Sequence, residues 1–418
     1  MALTKAKNRM IDGAAVNVKD FGVTGDGVTD DTVAFQAALD SFDSYGGTLF
    51  VPHNDNSVGY RIEGTLIWPN NGTICYPIDL VGEQVTNQFQ LICTCIRFIG
   101  VTNTGFDLRN GDDSNLRFNG SFRNIYIRGP GDPAVDVSVT AIGIHAYDMK
   151  QTVMENVQLI HWYSGMVVAN SVLYAKFENV DIANVHHGFN GGTYCLVNGV
   201  TFNKWRVTDC AGTGIWINGG GNVNITDCII EHCDASGIVC KNIVSLYLTG
   251  CYFEDMTPNG VYVYTDQQGY YNTSVTALGN NFNAETTNPS MKLDTVLNVA
   301  LIGNKFTATN GTSAIDIVGP QPHGIITGNE GPRDGSPIMA SEDAASVTFG
   351  DALNPHVGFS GSFPDNQQGL IKGSLYLNDD ADKGIFGWTV TESGAGLAAT
   401  PIPATTCNTS AASKTVTT

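Results

Sequence analysis

The chain is short of positive charge. Its 418 residues carry 21 Lys and Arg against 40 Asp and Glu, a formal charge of −19. A surface of that sign repels phosphate backbones, so no nucleic-acid partner is expected. Charge of either sign is scarce, at 15% of residues, where roughly a quarter is usual. No apolar run reaches about 18 residues, so no membrane insertion is expected. The first ten residues, MALTKAKNRM, are polar and lack the apolar stretch of a signal peptide, from which synthesis in a cytoplasm is expected. Ten cysteines are too sparse for a disulfide scaffold. Cys228, Cys233, Cys240 and Cys251 have no standard zinc spacing. Buried structural thiols are the expectation, with no metal and no cofactor.

Two things are plentiful. Glycine supplies 48 residues, and apolar residues make up 42%, which excludes disorder and permits a sizeable core. The middle of the chain is also periodic. Short segments beginning at Asn156, Asn179, Lys204, Asp227, Gly250, Gly279 and Gly303 align, with apolar fourth positions Leu159, Ile182, Val207, Ile230, Phe253, Phe282 and Phe306. The steps are 23, 25, 23, 23, 29 and 24 residues. A glycine series at 165, 188, 214, 237 and 260 keeps the same beat. Repeats of this length with short apolar strands and no helical stripe are the signature of a solenoid, whose coils bury their apolar sides only by stacking. Like residues then pile in files. Cys228 stacks with Cys251, and Cys210 with Cys233. Ile215, Ile217, Ile238, Cys240, Val261 and Val263 face inward, while Trp216, Val239, Tyr262 and Tyr264 alternate outward.

Upstream lies VKDFGVTGDGVTDDT (18–32), then a helical stretch over 33–42 with Phe35, Leu39 and Phe42 on one stripe, capped by Asp30 or Thr29. GGTLFVP (46–52) follows as a turn and strand. The beat fades near residue 335. Beyond it, segments at 373–378 and 384–394 read as a small β unit that caps the solenoid or knits subunits together.

DFGVTGDGVTDDT (20–32), the helix after it and GGTLFVP (46–52) resemble the opening of the pectate-lyase-like superfamily, in the form found in bacteriophage tailspikes. The resemblance covers residues 17–62 sharply and the coils to about 335 by pattern. It implies an all-β, right-handed parallel β-helix on a phage tail tip, as a homotrimer that binds and often cleaves a host surface polysaccharide. It divides the chain into a virion-attachment arm (1–16) that meets tail, baseplate or adaptor proteins, an N-terminal cap and first coils (17–120), a central β-helix (121–335) and a C-terminal β region for capping or trimerisation (336–418). Asp26, Asp30 and Asp31 read as turn and cap residues, not as a catalytic site.

Glycoside hydrolysis needs two carboxylates across a glycosidic bond, and rungs about 4.8 Å apart bring such pairs together. Fifth and sixth positions of the aligned segments place Asp209, then Glu231 and His232, then Glu254 and Asp255, on three consecutive rungs. Glu231 and Glu254 are expected roughly 5 Å apart, near the retaining spacing. Asp209 and Glu254 or Asp255 are expected roughly 9–10 Å apart, near the inverting range, and this second pairing is preferred. Glu231 between them raises a neighbour's pKa by like charge, and His232 orients a carboxylate. Solvated corner turns explain the same cluster without chemistry. Asp181, Glu178 and Asp234 are secondary candidates.

Two other readings stay open: a non-catalytic receptor-binding tail protein, and a lyase acting by β-elimination. The lyase would draw on Lys204, Arg206, Lys241, His232 and Tyr252, with calcium versions using the same acidic side chains. Trp216, Tyr262, Tyr252 and Trp205 are the expected sugar platforms, with Trp162, Tyr247, Tyr264, Tyr270 and Tyr271 behind them. An inserted loop over 264–276 would wall a groove.

Overall fold

The computed structural model describes residues 14–331, apart from short interruptions at 55–57, 87–90, 101, 110–115, 134–135, 137, 193–194, 267–271, 284–287, 308–313 and 319–322, and beyond them five strands. Most of the expected arm 1–16 lies outside the described residues. Its last residue, Val16, already pairs in a strand with Leu49.

The opening motif closes one end. Asp26 accepts the backbone N–H groups of Val28 (2.8 Å) and Thr29 (2.7 Å) and the Thr29 hydroxyl (2.8 Å). Asp31 stands at the N-cap of the helix Thr32–Leu39, its carbonyl accepting from Phe35 N–H at 2.8 Å but its side chain making no cap bond. Its carboxylate turns back to accept Thr24 N–H (2.6 Å) and Gly25 N–H (2.9 Å). Asp30 accepts from Thr32 N–H (3.0 Å) and the Thr32 hydroxyl. These aspartates are turn residues, as expected. The cap position belongs to Asp31, however, and the helix ends at Leu39. Phe35 and Leu39 reach the core from the helix, and Phe42 packs beside them from the chain after it.

From Gly47–Val51 onward the chain coils, each turn pairing in parallel with the next. One coil shows the plan. Leu196–Asn203 lies on a first face, Lys204 turns the corner, and Arg206–Cys210 lies on a second face. Ile215–Thr226 covers a third face and bends through Gly219–Asn222 back onto the first. The register follows the sequence alignment residue for residue: Leu159, Ile182, Val207, Ile230, Phe253, Phe282 and Phe306 are successive partners, all buried. Phe253 and Phe282 stack at 4.6 Å, and Phe282 and Phe306 at 4.9 Å. The coil does not stop near 335. Met339–Ser341 and Ser346–Phe349 still pair in parallel with the preceding turn. Leu375–Leu377, Ile385–Val390 and Ala399–Pro403 form a separate antiparallel sheet.

Two inward files show why the repeat keeps its residues. A Cβ on Gly188 would meet the Gly214 carbonyl oxygen at 2.4 Å, and one on Gly214 the Gly237 oxygen at 2.7 Å. Adjacent backbones are too close there for any side chain. At the corner before the second face, the inward residue of five successive rungs donates to a strand-end carbonyl. Cys228 Sγ reaches Phe202 O and Cys251 Sγ reaches Ile225 O, each at 3.5 Å. Asn280, Asn304 and Asn329 then do the same for Leu248, Ala277 and Leu301 at 3.1, 2.9 and 2.8 Å. A hydrogen bond to Cys251, with burial adding to it, raises the Cys228 thiol, and burial alone pushes Cys240 up to about 12.

Candidate functional site

The second face carries two outward files and a corner file. One outward file runs Arg61, Arg97, Arg128, Ile160, Ala183, Thr208, Glu231, Glu254, Asn283. The other runs Cys95, Tyr126, Gln158, Asp181, Arg206, Ile229, Tyr252, Asn281, Lys305. The expected neighbourhood of Glu231 and Glu254 is thus present. They differ in their surroundings. Asn283 Nδ2 donates to Glu254 Oε1 at 3.0 Å and approaches the Tyr252 hydroxyl at 3.3 Å. The Glu231 carboxylate has no hydrogen-bond partner among the described residues. Partial burial raises the Tyr252 phenol above its ordinary value, and the negative charges of Glu254 and Glu231 add to the effect.

The corner file holds His161, Asn184, Asp209, His232 and Asp255, with φ of 66°, 51°, 55°, 50° and 50°. Left-handed backbone favours Asn, Asp and His over other residues bearing a Cβ, so the turn alone accounts for these residue types. Its side chains still form a chain: His232 Nδ1 lies 3.7 Å from Asp209 Oδ1, and His232 Nε2 lies 3.5 Å from Asp255 Oδ2. Each is about half exposed. One imidazole therefore sits between two carboxylates two rungs apart, about 9–10 Å in backbone spacing.

Beyond the corner, Trp216, Val239 and Tyr262 are successive partners on the third face, as expected. Tyr262 stacks on Tyr264 at 4.8 Å, and Lys292 Nζ lies 5.5 Å from its ring centroid. Trp205 is not a platform. It is fully buried against Phe202 and Phe177, because it is the inward residue after the corner, in the file later occupied by Cys228 and Cys251. Trp162 is likewise in the core. Tyr270 and Tyr271, and most of the tip of the 264–276 loop, lie outside the described residues.

Sequence reasoning ranked one group low and passed over another. Asp181, placed low among the candidates, lies between Gln158 and Arg206, its Oδ2 at 3.5 Å from Gln158 Nε2 and 3.9 Å from Arg206. Burial raises its pKa, and Arg206 opposes the rise. Tyr126, in the same file, is pushed up to about 12 by burial. At the corner, Tyr163 stacks on His186 at 4.6 Å, and His186 touches His187 at 4.3 Å. Burial, with His186 adding to it, lowers His187 to about 4, and its Nδ1 accepts the Thr213 N–H at 3.2 Å. The adjacent histidines were the available signal, since a doublet at a coil corner exceeds what the turn requires.

Residues 119–282 match the family model described as "Right handed beta helix region". The Dettilon tailspike protein superposes with a TM-score of 0.52 at 13% identity, over 80% of this chain and 70% of that one. The tail spike protein of Shigella phage Sf6 is 44% identical over 62 residues, 14% of this chain and 10% of that protein. The chain is a right-handed parallel β-helix. This β-helix is also 30% identical over 221 residues to mannuronan C5-epimerase AlgE2 of Azotobacter vinelandii, 45% of this chain and 22% of the enzyme. It spans less than a quarter of the length of these curated relatives.

Proposed function

We propose that this protein is a phage tailspike that binds a host surface polysaccharide, capsule or O-antigen, and cleaves it by carboxylate-based glycoside hydrolysis. The observation that carries the reading is the juxtaposition of Glu231 and Glu254 in register on adjacent rungs, beside the Asp209–His232–Asp255 file. A glycan lying across these rungs meets carboxylates at one-rung and two-rung separations, about 5 Å and about 9–10 Å. The shorter suits a nucleophile paired with an acid, and the longer leaves room for an attacking water. Exposed Asp209 and Asp255, linked through His232, have the longer spacing. Trp216, Tyr262 and Tyr252 offer ring faces to sugar C–H groups. Relatives named as tailspikes and as a polysaccharide-modifying enzyme support the same class of substrate. On this reading the protein is a homotrimer on the virion tail, attached through its N-terminal arm.

A second reading follows from similarity to proteins named mannuronan C5-epimerases and to one named alginate lyase. It is proton abstraction at C5 of a uronate, with β-elimination or epimerisation as the result. Incubation with purified host polysaccharide separates the two. New reducing ends without ultraviolet absorbance support hydrolysis. Absorbance of an unsaturated uronate supports elimination. Binding with no new ends of either kind leaves epimerisation or a receptor-binding protein, and an altered proton NMR spectrum of the recovered polysaccharide marks the first of these.

A further inference from the structure

The central outward file of the second face begins with three arginines, Arg61, Arg97 and Arg128, side by side on successive rungs. Like charges stacked in this way are mutually unfavourable, and arginine is scarce in a chain of net charge −19. The first two are occupied. Arg61 donates to Val28 O at 3.0 Å and pairs with Glu63 at 2.5 Å. Arg97 donates to Gly27 O at 3.2 Å. Both hold the opening turn in place. Arg128 is partly exposed, and its guanidinium has no hydrogen-bond or ion-pair partner among the described residues.

Arg128 also stands at the head of a trough. From it the file runs through Ile160, Ala183 and Thr208 to Glu231. Ala183 and Thr208 are short and only 7% and 3% exposed, so the floor is low. Gln158, Asp181 and Arg206 stand on one side, and His161, Asn184 and Asp209 on the other. Four rung spacings, about 19 Å, separate Arg128 from Glu231, a length that takes a few sugar residues laid along the solenoid axis.

We propose that Arg128 anchors a carboxylate of the glycan, so that the substrate is an acidic polysaccharide lying along this trough, with an acidic sugar at Arg128 and the reacting bond at Glu231. The inference rests on the proposed function for the second of these ends only. Guanidinium binds carboxylate through paired, charge-assisted N–H bonds, and an unpaired guanidinium has that capacity intact. The overall negative charge repels an anionic chain at long range, which makes a local cation necessary for capture.

The test is calorimetric binding to the full chain of three acidic homopolymers (polymannuronate, polygalacturonate and polysialic acid), each beside its carboxyl-reduced neutral form. At least one acidic polymer is expected to bind more tightly than its neutral form. Arg128→Gln is expected to weaken that binding about tenfold or more, Arg128→Lys less, and neither is expected to change the neutral form's binding or the melting temperature. Failure of all three acidic polymers to bind overturns the proposal, as does an acidic polymer that binds Arg128→Gln as it binds the native protein. Glu231→Gln/Glu254→Gln separates the two readings. Retained binding with cleavage lost supports both. Arg128-dependent binding with cleavage intact in that double variant keeps the anchor and removes the catalytic assignment.

Discussion

Glu231 and Glu254 are direct neighbours across one rung, yet only Glu254 is tied down, by Asn283 at 3.0 Å. A held carboxylate and a free one, side by side, are suited to different parts in proton transfer. If the hydrolytic reading holds, Glu231→Gln and Glu254→Gln each lower the rate of reducing-end release about 100-fold or more, with melting unchanged. Asn283→Ala frees Glu254 and is expected to reduce the rate by a smaller factor. Full activity in both Gln variants removes the pair from the mechanism.

The corner file separates a structural duty from a chemical one. His232 has φ of 50°, which a β-branched residue resists. His232→Val is expected to lower unfolding free energy by about 1–2 kcal/mol, whereas His232→Asn is expected to fold normally. Denaturant melts check the first effect, and cleavage by the Asn variant then reports on the imidazole alone.

Backbone proximity makes the glycine file intolerant. Gly214→Ala puts a methyl 2.7 Å from the Gly237 carbonyl oxygen and is expected to destabilise the coil by about 1–3 kcal/mol. An unchanged thermal midpoint would show that the rungs part more easily than their packing implies.

Asn304 joins three rungs, accepting from Asn280 N–H at 3.0 Å and donating to Ala277 O at 2.9 Å and to Asn329 Oδ1 at 2.9 Å. Asn304→Ala strands buried polar groups on both sides and is expected to cost about 2–3 kcal/mol. Asn304→Cys, which imitates Cys228 and Cys251 in the same file, is expected to recover part of that loss in the same melts.

His187 carries a pH signature. Its folded-state value is lowered to about 4 by burial and by His186, against about 6.5 in the unfolded chain. Between these values the unfolded chain binds the extra proton, so the contribution is whole above about 6.5 and is lost progressively as pH falls toward 4. His187→Gln, whose side-chain oxygen can still accept from Thr213, is expected to flatten the fall in melting temperature across that window. An unaltered slope assigns the acid sensitivity elsewhere.

The repeat was legible because a solenoid writes its geometry into the chain locally. Every rung must satisfy the same inward files, so Leu159 through Phe306 announce their register, and the glycines announce where backbones touch. Outward files carry no such obligation. The position of Trp205 illustrates the limit: alternation marks which residues oppose each other, but the inward turn after a corner depends on backbone angles that residue type alone does not specify. The pairing of Glu231 with Glu254 followed from the spacing of 23 residues. That Asn283 holds one and leaves the other, that His232 lies between Asp209 and Asp255, and that Arg61 and Arg97 are occupied while Arg128 is not, depended on side-chain directions and on contacts between distant segments. Periodicity determines the files, and only three-dimensional packing decides which members of a file are already satisfied by the fold.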